Sequence, residues 1–318
     1  MNFVTRITEL LGIRYPIVQA GMSWASSNAE LALAVSQAGA LGMIAAGPMD
    51  PAALRSAIRT VKERTDRPFA VNVPLYNARA GAFLDVVWEE KAPIIVASQG
   101  GPKQHLKRFK DAGVTWVHVT ASPAHARKAE DAGVDAVIAV GTEAGGHPPP
   151  SEVGTLVVVR AVVKAVSVPV IAGGGIADGA GIAAMLALGA EGVQLGTRFL
   201  MTPESNLHQA YKERALAAGI EDTTLIGRGK LPVRMLRNAF TLAFETAERA
   251  GAPAEELATL NASRTLKMAA FEGDVENGKV EVGQSVGLID DLVPAAEIVA
   301  RLVGELEHAV TALRRFRD

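Results

Sequence analysis

Residues 168–199 read VPVIAGGGIADGAGIAAMLALGAEGVQLGTRF. The stretch contains an apolar run at 168–172, a three-glycine turn, a helical pattern that ends at Leu188-Gly189, and a second apolar run at 192–195. Gly directly after a helix is typical of a left-handed cap, so this junction marks the end of a helix and the start of a strand. Such continuously apolar runs indicate parallel strands that helices cover on both faces. The stretch therefore predicts one strand–helix–strand unit.

The same unit repeats through the first two thirds of the chain. The Gly junction recurs at Ala38-Gly39, Ala112-Gly113 and Ala132-Gly133, and apolar residues recur at helical spacing in segments such as 28–37, 51–64 and 123–131. Eight candidate strands occupy residues 15–20, 41–46, 69–73, 94–97, 114–119, 136–140, 168–172 and 192–195. Eight units within about 200 residues predict an α/β fold of the (β/α)8 TIM barrel type. An open doubly wound sheet is the structural alternative.

After Arg198 the pattern changes to more highly charged helical stretches at 205–218 and 235–250, followed by a piece with Gly and Asn at 271–283 and a closing helix at 294–315. The sequence thus predicts a barrel domain at 1–200, closed by 284–318, and a helical substrate or lid domain at 201–283. The final cations, Arg314, Arg315 and Arg317, suit the C-terminus of a helix.

Composition excludes several classes of protein. The chain has 318 residues, of which 49% are apolar and 21% charged, with a net charge of −2, so it can bury a full core and is not disordered. Because it has no Cys, it lacks disulfides, thiolate metal sites and Cys nucleophiles. We expect no nucleic-acid or membrane partner, since there is no basic stripe, no apolar run of ~18 residues and no signal sequence. We expect a cytoplasmic protein that acts on a small molecule. The sequence is compatible with a homo-oligomer.

The ends of the apolar runs carry the residues of interest, because a barrel of this type places its active site at the C-terminal ends of its strands. The residues found there are Gln19, Gly21 and Met22 after the first run, Asn72 in the third, 98–101 after the fourth, 141–147 after the sixth, 173–175 after the seventh and 196–197 after the eighth.

Two glycine-containing loops, 173–175 and Gly196-Thr197, occupy the positions where such barrels bind phosphate. Backbone N–H groups can approach an anion closely there, and the helix after Asp178 could direct its positive end toward it. The alternative is that the glycines only make a tight turn. Because Asn72 and residues 19–22 reach the same mouth from distant strands, an extended phosphorylated cofactor such as FMN fits better than a small sugar phosphate.

His147 is the one histidine that lies in a Gly-rich loop at a strand end. Its imidazole titrates near neutrality, so it could take a proton from a weak carbon acid or bind a substrate anion; the alternative is a loop cap. His118 falls inside the fifth strand and is interpreted as a core histidine. Glu143 and His147 are four residues apart in a loop, without further clustered ligands, so no metal site is predicted.

Five segments resemble the nitronate monooxygenase family, formerly called 2-nitropropane dioxygenases: 19–22, 142–147, 168–179, 194–199 and 283–289. The likeness runs from about residue 4 to residue 300. A sister group, the flavin-dependent enoyl-acyl-carrier-protein reductases, shares the same motifs.

The resemblance implies an FMN-containing barrel with a helical lid over the isoalloxazine ring. It assigns Ala20, Gly21, Met22 and Asn72 to the flavin ring, and Gly145, Gly174, Gly175, Gln194, Leu195, Gly196 and Thr197 to the ribityl phosphate. It also makes His147 the catalytic histidine. Two departures concern the substrate: Val140 stands where the nitronate enzymes commonly have Gln, and Pro148–Pro150 stiffen the loop after the histidine. Residues 272–278 resemble the reductase branch more closely.

The leading hypothesis is an FMN-dependent nitronate monooxygenase that converts alkyl nitronates, and by extension nitroalkanes, with O2 to carbonyl compounds and nitrite. The alternative is an enoyl-acyl-carrier-protein reductase that uses NAD(P)H and in which His147 orients the acyl carbonyl. The basic residues Arg228, Lys230, Arg234 and Arg237 would then attract an acidic carrier, unless they form a solvated helix face. A flavin-free phosphosugar barrel and a flavoprotein that stores or senses FMN are further alternatives.

Overall fold

The computed structural model describes residues 3–228 and 231–316. Eight parallel strands form one sheet in the order β1-β8-β7-β6-β5-β4-β3-β2, and a bridge between Val18 and Leu41 joins the two ends. The strands are β1 Ile17–Gln19, β2 Gly42–Ala45, β3 Phe69–Pro74, β4 Ile94–Ser98, β5 Thr115–Thr120, β6 Ala136–Val140, β7 Val170–Gly173 and β8 Gly192–Leu195. The predicted eight-stranded barrel is confirmed, and the open sheet is excluded.

Most helices alternate with the barrel strands and cover the outside of the barrel, whereas the helices within residues 201–283 belong to the inserted segment. They are α1 Arg6–Leu11, α2 Glu30–Gln37, α3 Pro51–Arg64, α4 Ala80–Glu89, α5 Lys103–Asp111, α6 Pro123–Ala132, α7 Thr155–Val163, α8 Gly179–Ala187, α9 Thr197–Leu200, α10 Gln209–Leu216, α11 Ala239–Arg249, α12 Ala254–Ala262, α13 Leu266–Ala270 and α14 Ala295–Leu313. All four junction glycines have a positive φ, as the cap pattern predicts. The closing helix α14 packs against α8 and α2.

The segment between the barrel and α14 is not wholly helical, which corrects the prediction for 201–283. It contains an antiparallel pair of strands, β9 Thr223–Ile226 and β10 Val233–Leu236. The helix predicted at 235–250 therefore begins only at Ala239, after Asn238, whose side chain accepts a hydrogen bond from the Thr241 N–H. Periodicity missed this hairpin because short apolar runs fit either a helix or a strand. The division of the chain into two domains stays a prediction.

Two apolar layers fill the barrel wall and its interior. Residues such as Ile44, Val71 and Val159 pack between the sheet and the outer helices. Val96, Ile138 and other inward-facing residues fill the interior of the barrel. The barrel is thus solid, and ligands can enter only at its ends. Within 3–228 and 231–316, no helix combines the length and the apolar character needed to span a membrane.

Candidate active site

A cavity of about 800 Å³ lies at the C-terminal ends of the barrel strands. Ends of several strands line its floor, and residues from the segment 201–283 cover it. The predicted site residues that line it are Ala20, Gly21, Met22, Asn72, Gly145, His147, Gly174, Gly175, Gln194, Gly196 and Thr197. The tertiary structure therefore brings ten of the eleven predicted cofactor residues, together with His147, into one cavity.

The glycine loops after β7 and β8 present unpaired backbone N–H groups to this cavity. In the part of the chain that the structure describes, the amides of Gly174, Gly175 and Gly196 donate no hydrogen bond. Gly174 and Gly175 have φ of +103° and +71°, and a Cβ on Gly174 would lie 2.8 Å from Thr155 Oγ1. Unpaired amides on a backbone that excludes side chains suit a phosphate. These residues thus fit the terminal phosphate of FMN.

Glu143 connects the loop after β6 to the start of α7, beside the glycine loop after β7. Its carboxylate accepts hydrogen bonds from the backbone N–H and the hydroxyl of Thr155 at 2.9 and 2.7 Å, and so caps the start of α7. A Cβ on Gly175 would lie 3.1 Å from the Glu143 Cβ. The amide of Gly283 donates to Thr197 Oγ1 at 2.9 Å, which ties the end of the inserted segment to the loop after β8.

The helix after Asp178, which was predicted to direct its positive end toward the phosphate, has two of its first three amides paired within the protein. The Gly181 N–H of α8 donates to the Asp178 carboxylate, and the Gly179 N–H donates to the Glu305 carboxylate of α14. This end of the helix packs against α14, and the role of the helix toward a phosphate stays a prediction.

The segment after β1 and the strand β3 approach each other closely where they line the cavity. A Cβ on Gly21 would lie 2.4 Å from the Asn72 Cβ, so only glycine permits this close approach. Asn72 Nδ2 donates to the Val96 carbonyl at 3.0 Å, which orients its amide at the cavity surface. The Gln194 side chain faces the same space from β8. This arrangement suits a planar ring.

Two residues expected near the site do not reach the cavity. Gln19 is fully buried: its amide nitrogen donates to the Ala20 carbonyl, and its oxygen accepts from the Met43 N–H at 2.8 Å. Leu195 is 1% exposed and packs in the outer core, because its side chain alternates with that of Gln194 along β8. The backbone carbonyl of Leu195 helps to position a residue that lines the cavity, because it accepts a hydrogen bond from the Ala20 N–H at 2.9 Å.

His147 lies at the wall of the cavity, with its side chain exposed to it. Hydrogen bonds between Gly146 and the Arg234 backbone, at 2.7 and 3.0 Å, hold the loop before it. The surrounding protein lowers the pKa of His147, and the positive charge of Lys279 lowers it further. The imidazole is therefore neutral at physiological pH and able to accept a proton.

The polar residues of the cavity that were missed in the sequence include Tyr211, Lys279 and Glu281. Burial raises the pKa of the Glu281 carboxyl to about 7, although Lys279 opposes the shift. The Tyr211 hydroxyl donates to the Glu281 carbonyl at 2.9 Å. The sequence did contain a pattern that indicates Lys279 and Glu281. These two charged residues alternate with the buried Val280 and Val282, as in an extended strand with one polar face.

None of the described basic residues at 228–237 lies on a helix, so the predicted solvated helix face is wrong, whereas the attraction of an acidic carrier stays a prediction. Arg228 pairs with Glu152 at 2.9 Å. Arg234 is 7% exposed on β10, and its guanidinium donates to the Thr142 carbonyl at 2.9 Å. Arg237 donates to the Glu221 carbonyl. Lys230 and Arg317 lie outside the described residues.

Ionisable side chains give no sign of a metal centre: over the described ranges, no group of three or more His, Asp or Glu residues could hold an ion. His118 is buried in β5, as predicted for a core histidine, but its Nδ1 has no hydrogen-bond partner among the described residues.

Comparisons with known proteins agree with this architecture. The family model described as nitronate monooxygenase matches residues 4–83 and 75–305. A nitronate monooxygenase from Paraburkholderia phytofirmans is 35% identical and is aligned over 98% of both chains. The (3aS,4S,5R,7aS)-5-hydroxy-7a-methyl-1-oxo-octahydro-1H-indene-4-carboxyl-CoA dehydrogenase of Mycobacterium tuberculosis is 33% identical over 98% of this chain and 99% of its own. The structure of FabK from Thermotoga maritima is similar with a TM-score of 0.92, at 42% identity over 98% of this chain and 99% of that one.

Proposed function

The chain belongs to the nitronate monooxygenase family and is an oxidoreductase, and from this premise we propose that it uses FMN and O2 to oxidise alkyl nitronates to carbonyl compounds and nitrite. The observation that carries the proposal is a neutral imidazole and an ammonium group, His147 and Lys279, in the cavity that also contains the phosphate cradle. A base beside a cation suits a substrate that loses a carbon-bound proton and becomes an anion.

FMN, when bound, would supply the electron transfer from the substrate to O2. A ring nitrogen of His147 would accept the α-proton of a neutral nitroalkane. Lys279 would then stabilise the resulting nitronate oxygens, which carry the negative charge. A preformed nitronate needs only this second interaction, so the two substrates test the two residues separately.

FMN is proposed rather than FAD because Gly174, Gly175 and Gly196, whose amides donate no hydrogen bond to the described residues, line one cavity and would bind one terminal phosphate. The sequence also lacks a G-x-G-x-x-G turn for a pyrophosphate. Cofactor released by heating should therefore elute with authentic FMN in chromatography. Recovery of FAD, or a colourless protein that FMN cannot reconstitute, would contradict the assignment.

Nitrite release from propyl-2-nitronate and O2, measured without any pyridine nucleotide, tests the reaction. His147→Ala should retain FMN but lose about 10²–10⁴-fold in turnover of neutral nitroethane, the usual contribution of a general base. The loss on the nitronate should be smaller. His308→Ala, an exposed change on α14, is the matched control. Equal losses on both substrates would reassign His147 to anion binding, and full activity on both would remove it from the mechanism.

A second candidate is the reduction of an enoyl thioester by NAD(P)H. It is favoured by Glu281, because a carboxyl group with a pKa of about 7 is partly protonated near neutrality and can donate a hydrogen bond to an acyl carbonyl. The similarity to a carboxyl-CoA dehydrogenase and to FabK also supports it. Crotonyl-thioester-dependent oxidation of NAD(P)H, with no nitrite from any nitronate, would establish this reaction instead. The cytoplasmic location and a homo-oligomeric state stay predictions.

A further inference from the structure

The edge of β10 that does not face β9 holds two segments of the active site together. The Arg234 N–H donates to the Gly146 carbonyl at 2.7 Å, and the Gly146 N–H donates back to the Arg234 carbonyl at 3.0 Å. Two residues further along β10, the Leu236 N–H donates to the Val280 carbonyl at 2.9 Å. Alternate residues of a strand direct their backbone hydrogen-bonding groups to the same edge, so one short strand can bind both segments.

These two contacts join the proposed base to the proposed cation. Gly146 immediately precedes His147, and Val280 immediately follows Lys279. Both His147 and Lys279 line the cavity, and the positive charge of Lys279 contributes to the lowered pKa of His147. The strand β10 is therefore a common support for the two groups on which the proposed oxidation depends.

The side chain of Arg234 binds the catalytic loop at its other end. Its Nε donates to the Thr142 carbonyl at 2.9 Å, and its Nη1 donates to the Thr223 hydroxyl of β9 at 3.1 Å. Arg234 thus contacts residue 142 through its guanidinium and residue 146 through its backbone. Both ends of the loop 142–146 are fixed by this one residue, and His147 is the next residue of the chain.

The Arg234 guanidinium is a buried cation whose hydrogen bonds go to neutral acceptors. The residue is 7% exposed, and it forms no ion pair within residues 3–228 and 231–316. Burial and the charge of Arg228 lower the pKa of Arg234, whereas the charges of Glu143 and Glu152 raise it. Burying a cation costs desolvation free energy that an apolar side chain of similar volume would avoid. This cost favours a role that only a planar group with several donors can perform.

We propose that Arg234 is a positioning residue that holds His147 beside Lys279 in the arrangement needed for proton abstraction. Arg234 is not among the described residues that line the cavity, so it acts on the substrate only through the loop 142–146. Its effect on turnover rests on the proposed oxidation, whereas its effect on the imidazole can be measured without turnover. Without the guanidinium, the loop would admit water, and His147 would move away from Lys279.

The pKa of His147 in the FMN-loaded protein, measured by NMR with ring-labelled histidine, tests the positioning. The signal of His147 is the one that disappears in His147→Ala. In Arg234→Met its pKa should rise toward the ordinary value of 6.5, because burial and Lys279 both hold it lower in the wild type. Lys279→Met should raise this pKa less in the Arg234→Met background than in the wild type. Glu281 and Arg264, which are charged residues of the same cavity, are unchanged in all these proteins.

Turnover gives a second readout. Arg234→Met should lose about 10–100-fold in kcat on neutral nitroethane, the scale expected for a misplacement of about 1 Å, and should lose less on propyl-2-nitronate. Arg234→Lys, which keeps a donor for the Thr142 carbonyl, should recover part of the loss. Arg237→Met is the matched control, since Arg237 is exposed and its side chain donates to the Glu221 carbonyl.

Thr223→Val covers the case in which Arg234→Met does not fold, because it removes only the acceptor of Nη1. It should shift the pKa of His147 in the same direction by a smaller amount. An unchanged pKa of His147 in the folded variant would overturn the proposal, as would a lower thermal stability with an unchanged ratio of the two turnover rates. Absence of nitrite from the wild-type protein would contradict only the proposed oxidation, since the NMR titration does not depend on it.

Discussion

Replacing Glu281 by Gln should stabilise the protein at alkaline pH and leave its stability unchanged at acidic pH. Glu281 is the one carboxylate among the described residues that line the active-site cavity. Burial raises its pKa from 4.5 to about 7, so between these values the folded protein holds a proton that the unfolded chain has released. The carboxyl group therefore contributes stability below pH 4.5, and this contribution disappears as the pH rises through 7.

The size of the effect follows from the shift. A rise from 4.5 to about 7 corresponds to about 3 kcal/mol at 1.36 kcal/mol per pH unit. The side chain is partly exposed to the cavity, so solvent screening reduces the expected value to about 2 kcal/mol. Gln cannot ionise, so the free energy of unfolding of Glu281→Gln should exceed the wild-type value by less than about 1 kcal/mol near pH 5 and by about 2 kcal/mol at pH 8.

Urea denaturation at a series of pH values from about 5 to 8, with FMN at one saturating concentration, measures this difference. Glu255→Gln on α12 is the matched control, since Glu255 is exposed and its replacement should change nothing between these pH values. A Glu281→Gln difference that is the same at both ends of the series, or a variant less stable than wild type at pH 8, would refute the reasoning about a buried carboxyl group.

Two further changes test the cradle and the base. Gly175→Asp should abolish FMN binding, because the Gly175 backbone has φ of +71° and the added carboxylate would repel the phosphate. Flavin absorbance after desalting measures the bound FMN. The control is Gly304→Asp, which should bind FMN normally because a Cβ at Gly304 meets nothing within 4 Å. Lys279→Met should raise the pKa of His147, since it removes a nearby positive charge, and should therefore move the acidic limb of the pH–rate profile to higher pH. An acidic limb that stays in place or moves to lower pH would contradict that electrostatic coupling.

Local patterns were sufficient to predict the barrel. The predicted helix 51–64 matches α3 residue for residue, because Asp50 caps it, Pro51 opens it and its apolar residues recur at helical spacing. Similarly, the loops after β7 and β8 were predicted to bind phosphate, and the structure shows unpaired amides there. Both inferences depend on properties of a few consecutive residues.

Other features depend on distant parts of the chain. The hairpin of β9 and β10 forms because Thr223–Ile226 pairs with Val233–Leu236, and a sequence pattern does not show which runs will pair. The Gly179 amide at the start of α8 donates to Glu305, which is 126 residues away along the chain. The approach of Lys279 to the cavity likewise follows from the path of the inserted segment over the barrel mouth.

The sequence by itself determined the strand–helix repeat, the barrel, the glycine loops and the position of His147 at a strand end, because backbone dihedral preferences, caps and apolar periodicity act over a few residues. Only the tertiary structure decided which groups share the cavity with His147 and which buried groups lack a partner. Desolvation and charge coupling act through space, so the raised pKa of Glu281 and the unpaired Nδ1 of His118 exist only once residues far apart in the sequence have packed around them.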